Sequence, residues 1–578
     1  MKKFLIYALV AFHTLPLFSQ GGFTYISSTV EPDNPITQMV SLTRYRGAAW
    51  IDVNGDGKVD LFAAPNFLFI NKGNGKFESK TLSISLLGEA PSGVSWADFD
   101  NDGDADLLLT KALAELYLND GLGNLTNNTA AIPNISGYRA WGCAFGDYNN
   151  DSKMDFIYVH PAGFLGTPQP CKLYKQTVNG IQQVTGYAIT SDNQPYTVPF
   201  WSDFDQDGDL DLFVASGPAG TSGLDFCYQN MLKETGRDTF IRMTQPLFAS
   251  ELQDGQTYNF IDIDNDGDLD LCLTNYGGVA TKMYRRNADA SYTKLTAPFT
   301  NKRPRLDNAW GDFDNDGDLD VILTSDSGTF VEYYENDGLG NFTINTSTDI
   351  TKARNCSGVT LGDYDNDGDL DVFINGDTSS TKFGLYKSTY STNGNKWINF
   401  KCKGTASNRS AIGTKVRIKA TIDGNPTWQI REILAQNTFQ GQNDLRVHFG
   451  LKAATKIDSV EVVWLSGKKD VFINVLPNQF YQITEGGAIT TSLPELPSEY
   501  ADKIIIYPNP TTNILFIKTE IAISADKPLE VYDMNGKIML TNTFKNGQLN
   551  INSLPNGEYF LRLYTDQGVT MKKFLKQR

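Results

Sequence analysis

Histidine is almost missing from this chain: 578 residues hold three, His13, His160 and His448. There is no H-E-x-x-H, no G-x-S-x-G and no G-x-x-x-x-G-K-[ST], so the common zinc-protease, serine-nucleophile and phosphate-loop signatures are excluded. His448 stands alone in an apolar, strand-like run, where a packed imidazole is a simpler reading than a catalytic one. Cysteine is sparse as well. Cys143, Cys171, Cys227, Cys272, Cys356 and Cys402 show no C-x-x-C spacing, which argues against a zinc or redox site. Several lie in apolar runs, where a free buried thiol is expected. A disulfide such as Cys171–Cys227 is the alternative in an oxidising compartment. Beyond residue 20 no stretch has the roughly eighteen consecutive apolar residues of a membrane helix. No basic stripe is present to follow nucleic acid.

Positive charge is also short, and the shortfall is local. Lys and Arg number 50 against 67 Asp and Glu, for a net charge of −17. Seven nine-residue stretches carry 31 Asp and 2 Lys, and the rest of the chain is +12. The fullest form is Asp312-Phe313-Asp314-Asn315-Asp316-Gly317-Asp318-Leu319-Asp320, or D-x-D-x-D-G-x-x-D. Oxygen ligands at positions 1, 3, 5 and 9, with the carbonyl of position 7, suit Ca²⁺, which accepts six to eight of them in a forgiving geometry. The glycine at position 6 permits the positive φ of a sharp loop. Without a cation, five Asp in nine residues is hard to explain.

The copies begin at residues 52, 98, 147, 203, 262, 312 and 363, a step of 46 to 59 residues. The candidate ligands are Asp52, Asn54, Asp56 and Asp60; Asp98, Asp100, Asp102 and Asp106; Asp147, Asn149, Asp151 and Asp155; Asp203, Asp205, Asp207 and Asp211; Asp262, Asp264, Asp266 and Asp270; Asp312, Asp314, Asp316 and Asp320; and Asp363, Asp365, Asp367 and Asp371. Up to seven Ca²⁺ would bring the whole chain near −3, so the acidity reads as a metal signature. The first and third copies have Asn at position 3 and Lys at position 7, and the third has Ser152 where the glycine belongs. These two should bind most weakly, the third weakest of all. An EF-hand is excluded: position 12 of the second copy is Leu109, and the loop runs into the strand-like Leu107-Leu108-Leu109-Thr110.

Read in order, residues 1–20 open with Lys2-Lys3, continue as an apolar run and end near Ser19-Gln20, the pattern of a secretory signal peptide. Residues 21–395 repeat one plan: an apolar approach, the acidic loop, an apolar run, another strand, a Gly-rich turn and a last strand. Four short strands per unit of about fifty residues predict a seven-bladed β-propeller. Six units place an aromatic two residues before the first Asp (Trp50, Trp96, Phe145, Trp201, Phe260 and Trp310) and the seventh has Leu361. Packing between neighbouring sheets explains these better than a sugar platform. Gly22-Phe23-Thr24-Tyr25 resembles the last-strand segments Gly75-Lys76-Phe77-Glu78 and Gly340-Asn341-Phe342-Thr343, which predicts that the first strand completes the final blade. Residues 396–487 lose the period and read as a small β domain, 488–500 as a linker, and 501–578 as a second small β domain. The fold class is all-β.

The repeat units resemble FG-GAP (VCBS-like) repeats of integrin α propellers and bacterial secreted proteins, which implies Ca²⁺ in the acidic loops at one rim. Asn408-Arg409-Ser410-Ala411-Ile412-Gly413, Gly441-Gln442-Asn443-Asp444-Leu445-Arg446 and Val463-Trp464-Leu465-Ser466-Gly467 resemble the ASPIC/UnbV domain that follows such propellers in the cartilage acidic protein family. Tyr507-Pro508-Asn509-Pro510, Val531-Tyr532-Asp533-Met534-Asn535-Gly536 and Asn556-Gly557-Glu558-Tyr559 resemble the type A C-terminal sorting domain of the Bacteroidetes type IX secretion system. That resemblance implies the secretion machinery as a partner and a secreted or cell-surface location.

Two functional readings follow. The first is a secreted calcium-binding module for an extracellular glycan or surface protein. The second is a polysaccharide lyase or hydrolase working at the propeller's central channel. The absence of catalytic motifs favours binding over catalysis, although a fold does not decide an activity.

Overall fold

The computed structural model describes residues 22–577 apart from 40–44, 74, 85–91, 134–138, 161–168, 194–196, 217–221, 492–502, 520, 522, 524–528, 533–537, 543–546 and 566–567. The expected signal peptide lies outside the described residues. Between Phe23 and Ser388 the described residues form seven four-stranded antiparallel sheets, one per repeat unit. Their first strands are Ala48–Ile51, Val94–Ala97, Cys143–Gly146, Pro199–Ser202, Gly255–Ile261, Asp307–Gly311 and Arg354–Gly362. These strands stand innermost and meet one another around a central channel: Phe145 N–H donates to Ser95 Oγ at 3.1 Å, and Asn259 Nδ2 to the Asn308 carbonyl at 2.7 Å. This is a propeller-like β fold.

Strand composition changes from the channel outward as exposure changes. The second strand of the sixth sheet, Asp320–Thr324, is buried at every position, so its sequence is an unbroken apolar run between two polar ends. The outer strand Lys76–Thr81 buries Phe77 and leaves charged neighbours in solvent. Aromatics join sheet to sheet. Trp50 stacks on Tyr364 with centroids 6.0 Å apart, Trp201 on Tyr148 at 6.1 Å, and Phe260 lies 5.6 Å from Phe204. In each pair the aromatic before one loop meets the aromatic at position 2 of the preceding loop, a partner that spacing alone did not reveal. Burying one such ring contributes about 2–3 kcal/mol. These rings are packing residues, not a sugar platform. The ring closes as expected: Phe23–Tyr25 pairs antiparallel with Gly384–Ser388, Phe23 opposite Ser388.

Residues 396–491 build two further four-stranded sheets. One contains Lys396–Lys403, Val447–Lys452, Phe480–Thr484 and Ile489–Thr491; the other contains Lys415–Ile422, Asn425–Glu432, Ile457–Val463 and Lys469–Val475. Ile489–Thr491, in the stretch read as linker, pairs with Tyr481–Ile483. The apolar core here (Ile398, Phe400, Val416, Val460, Trp464) runs on without a break into Phe99, Phe145 and Phe156 between the second and third propeller sheets. From residue 504 a three-stranded and a four-stranded sheet enclose Ile504, Leu515, Val531, Leu561 and Phe574. All six cysteines are buried and none forms a disulfide, so the Cys171–Cys227 bridge is not made.

Candidate metal sites beneath a capped rim

The seven acidic loops connect the first and second strands of their sheets and lie on one rim. Each is a set of turns written by its own side chains. In the sixth loop Asp312 Oδ1 accepts Asp316 N–H at 3.0 Å, Asp312 Oδ2 accepts Gly317 N–H at 2.9 Å, and Asp316 Oδ1 accepts Asp318 N–H at 3.2 Å. Two residues adopt left-handed backbone: position 6, where Gly317 has φ 102°, and position 4, where Asn315 has φ 62°. Asn tolerates that conformation better than most side chains, which accounts for Asn at position 4 in copies two, three, five, six and seven.

The loops gather carboxylates. One oxygen each from Asp98, Asp100 and Asp106 lies within 4.8 Å of the others, and the same holds for Asp203, Asp205 and Asp211, for Asp262, Asp264 and Asp270, and for Asp312, Asp314 and Asp316; each set could hold a metal ion. Asp205 and Asp207 also group with Glu234, a residue from the turn after the third strand that spacing did not flag. The last Asp ties its loop to the third strand, and in most loops both of its oxygens are engaged. Asp106 Oδ1 takes Asn119 N–H at 2.8 Å and Oδ2 takes Phe99 N–H at 2.8 Å, tying the loop to the third strand. Position 7, expected to offer only its carbonyl, uses its side chain for stitching. Asp268 pairs with Arg286 at 2.9 Å, while Asp318 accepts Asn265 Nδ2 at 2.8 Å and Asp369 accepts Asn315 Nδ2 at 2.9 Å. The position-4 amides also reach the next loop's position-6 carbonyl: Asn150 to Gly208 (2.8 Å), Gln206 to Gly267 (3.3 Å), Asn265 to Gly317 (3.1 Å) and Asn315 to Gly368 (3.4 Å).

These residues fit a hard cation on their own geometry. Asp52 Oδ1, Asp98 Oδ1, Asp203 Oδ1, Asp211 Oδ2, Asp264 Oδ1 and Asp365 Oδ1 are buried and accept no hydrogen bond. An uncompensated buried carboxylate oxygen is costly, and a divalent ion supplies what it lacks. Burial pushes Asp98 up to about 6 against the pull of Arg409, and burial with the neighbouring Asp151 pushes Asp147 up to about 7. Burial carries Asp106 to about 7 and Asp270 to about 8, and raises Asp60, Asp211, Asp320 and Asp371 well above the carboxylate range. In the first copy Lys58 pairs with Asp56 at 2.8 Å. In the third, Asn149 Nδ2 donates to Asp155 Oδ2 at 3.1 Å, so an amide fills the centre, and Ser152 is held at φ 70°.

The rim is partly covered: Asp98, Asp203, Asp312 and Asp363 are buried, while Asp100, Asp102, Asp207 and Asp266 are exposed. Residues 396–491 sit on it and meet the first residue of loop after loop. Lys401 Nζ lies 3.1 Å from Asp52 Oδ2, and Arg409 Nε 3.3 Å from Asp98 Oδ2. Lys415, buried, pairs with Asp203, whose N–H donates to Glu432 Oε1 at 2.9 Å. Arg431 is within electrostatic reach of both Asp262 and Asp312. Gly450 N–H donates to Asp312 Oδ2 at 2.8 Å, Arg446 Nη2 to the Asp363 carbonyl at 2.8 Å, and His448 Nε2 lies 3.0 Å from the Gly368 carbonyl. Burial, with Arg431 and Arg446 nearby, pushes His448 down to about 3, so it is a neutral packing residue.

From this cap a loop, residues 436–444, enters the central channel. Its amides and carbonyls satisfy the free edges of the inner strands. Gln440 O accepts Val94 N–H at 3.0 Å, Gln442 N–H donates to Ala48 O at 2.9 Å, Gln442 Oε1 accepts Trp96 N–H at 2.7 Å, and Asp444 N–H donates to Leu361 O at 2.9 Å. Phe439 at the tip shares an apolar cluster with Phe200, Phe260 and Leu306 and reaches Tyr45, ring centroids 6.1 Å apart. A Cβ on Gly47 would fall 1.7 Å from Gln440 O, so that wall position accepts only glycine.

Comparison with known proteins finds three family models along the chain. A model of FG-GAP-like repeats matches residues 52–109, 262–323 and 312–374. The ASPIC and UnbV model matches residues 404–490, and a secretion system C-terminal sorting domain matches 505–577. The chain therefore carries FG-GAP-like repeats, an ASPIC/UnbV domain and a type IX sorting domain, and the last marks it as exported, secreted or on the cell surface. No curated protein matches it by sequence. Among solved structures a streptogramin B lyase is 14% identical, covers 60% of this chain and 95% of its own, and has a TM-score of 0.37. The exotype rhamnogalacturonan lyase YesX is 13% identical over 77% of this chain and 91% of its own, at 0.32. PorZ, a surface component of the type IX secretion system of Porphyromonas gingivalis, is 11% identical over 92% and 81%, at 0.20. Likenesses of this size carry no argument about activity. Among the described residues no helix is long and apolar enough to cross a membrane.

Proposed function

We propose that this is an extracellular calcium-binding propeller protein that serves as a binding module for a glycan or another surface protein. In this reading residues 21–395 form a seven-bladed propeller, 396–487 a docked ASPIC/UnbV domain and 501–578 the sorting domain. Ca²⁺ is held by positions 1, 3, 5 and 9 of the loops, most tightly in copies two and four to seven. The observation that carries the metal reading is the set of buried, unpartnered carboxylate oxygens inside the loops. The occupied channel supports binding over catalysis, because Phe439, Gln440 and Gln442 stand where a channel-borne lyase or hydrolase would hold its substrate. The capped rim directs the partner to the opposite mouth, where Tyr45 lies 5.9 Å from Trp141 and donates to Asp326 Oδ2 at 2.8 Å. Calorimetric titration of metal-free protein with Ca²⁺ tests the metal: five or more sites are expected, and no heat of binding refutes it. A glycan array run beside a polysaccharide-cleavage screen tests the partner. Cleavage of any soluble polysaccharide would put an enzyme in its place.

A further inference from the structure

We propose that the metal loops and the cap form one metal-dependent joint, in which the first Asp of each loop bridges the ion and the cap, so that loss of the ion frees the channel loop 436–444. This rests on the calcium reading above. The first Asp divides its two oxygens. In the fourth loop Asp203 Oδ2 accepts Gly208 N–H at 3.0 Å and pairs with Lys415, while Oδ1 points into the loop, buried and without a partner. In the first loop Asp52 Oδ2 accepts Gly57 N–H at 3.1 Å and Lys401 Nζ at 3.1 Å, and again Oδ1 is left unpartnered. Asp312 Oδ2 accepts Gly317 N–H at 2.9 Å and Gly450 N–H at 2.8 Å. In the first and fourth loops one oxygen is thus spoken for by the cap and the other is free for an ion, while in the sixth Oδ1 also accepts Asp316 N–H at 3.0 Å.

Charge makes the two sides interdependent. Loops two and four to seven carry five Asp each. The cap brings Arg409 to the second loop, Lys415 to the fourth and Arg446 to the seventh and shares Arg431 between the fifth and sixth, while the propeller's own Arg286 and Lys387 pair with Asp268 and Asp365; a divalent ion offsets a large part of the negative charge that remains. Without the ion the buried first and last Asp of the loops, such as Asp203, Asp211, Asp363 and Asp371, repel one another beneath the cap, although Asp100, Asp102, Asp207 and Asp266 stand in solvent. Mutual repulsion and desolvation then favour letting water in, which requires the cap to lift.

The channel loop hangs on these contacts at both ends. Its first stem is Arg431-Glu432, with Glu432 accepting from Asp203 N–H and Ser202 Oγ, the latter at 2.6 Å. Its second stem is Asp444-Arg446, with Arg446 bound to the seventh loop through the Asp363 carbonyl and Asn366 Oδ1 at 2.7 Å. Ions lost from the fourth and seventh loops would therefore release both stems together. The amide chain from Asn150 through Asn315 links the loops between, so they should respond as a group.

Hydrogen exchange read by mass spectrometry on the full chain tests the joint. Amides of Gln442 and Asp444 should exchange about tenfold or more faster in chelator than in millimolar calcium, while mid-strand amides such as Leu108 and Ile322 change far less. Bound metal is counted on the same samples. A chain that takes up and loses the ion with residues 436–444 unchanged overturns the joint alone. A chain in which every amide speeds up together also overturns it, since the ion would then be a general stabiliser. Failure to take up any ion overturns the calcium reading and the joint with it. Lys415→Met at saturating calcium should speed Gln442 and Asp444 severalfold with the loss of no more than one ion; unchanged exchange in that variant counts against the joint.

Discussion

The sixth and third loops share a backbone and differ in what they enclose. Both place position 4 in the left-handed region, Asn315 at φ 62° and Asn150 at φ 55°. Both close the first turn with an Asp accepting the position-5 amide at 3.0 Å, Asp312 from Asp316 and Asp147 from Asp151. The sixth loop then brings Asp312, Asp314 and Asp316 together. The third supplies an amide donor, Asn149, and sets Lys153 Nζ 3.8 Å from Asp151. The turn is therefore specified by side chain-to-backbone hydrogen bonds, and the capacity to hold an ion is a separate property, set by how many carboxylates meet without a donor among them.

Chelation should break the difference between the loops outright. Each occupied site stabilises the fold by about 4 kcal/mol at a thousandfold excess over Kd, so EGTA should lower the melting temperature by roughly 10 °C or more. An indifferent melting curve would remove the metal from the account. Next in size, Asp312→Ala should cost about 3 kcal/mol and one bound ion, whereas Asp151→Ala should leave the calorimetric site count unchanged. Equal losses in the two variants would show that the third loop is filled after all. The converse experiment sharpens the contrast: Asn149→Asp together with Lys153→Asp should add one ion to the count. Ser152→Gly should stabilise by about 0.5–1 kcal/mol in urea denaturation, because a non-glycine residue is held there at φ 70°. A destabilised Ser152→Gly would locate the constraint elsewhere.

A pH effect separates burial from metal binding, because it arises far from the loops. Burial pushes Asp225 up to about 7; its Oδ1 accepts Ser216 N–H and its Oδ2 accepts the Tyr258 hydroxyl, each at 2.8 Å. The folded value exceeds the unfolded one, so the folded state keeps a proton that the unfolded state gives up. Its contribution is full below about pH 4 and is lost as pH rises through about 7, at up to about 1.4 kcal/mol per pH unit. Asp225→Asn should flatten that slope in denaturation curves between pH 4.5 and 6.5, and an unchanged slope would show that Asp225 is ionised in the fold.

Much of the propeller was legible because its signals are local and repeated. The loop spacing, the flanking apolar runs and the likeness of Phe23-Thr24-Tyr25 to later outer strands led to four-stranded sheets and to a first strand placed in the final blade, where the structure pairs Phe23 with Ser388. The positions of Trp50 and Trp201 marked them as packing residues, and both are buried. The cap was not legible. Lys401, Arg409, Lys415 and Arg446 lie far along the chain from the loops they cover, and their spacing follows two sheets of irregular length, not a period. Gln440 and Gln442 looked like ordinary polar loop residues, since what they satisfy is the bare backbone of strands some 350 residues away, such as Val94 and Trp96. Position 4 was legible in principle: Asn recurs there, and the left-handed turn is a known reason for it.

The pairing of Phe23–Tyr25 with Gly384–Ser388 imposes an order on assembly. The earliest strand among the described residues has no partner until nearly the whole circle has been made, so it waits with one raw edge while the rest of the ring assembles. Such long-range pairing is slow to form and sticky while unmet. The yield of a protein built this way should fall more steeply with expression level than its finished stability would suggest.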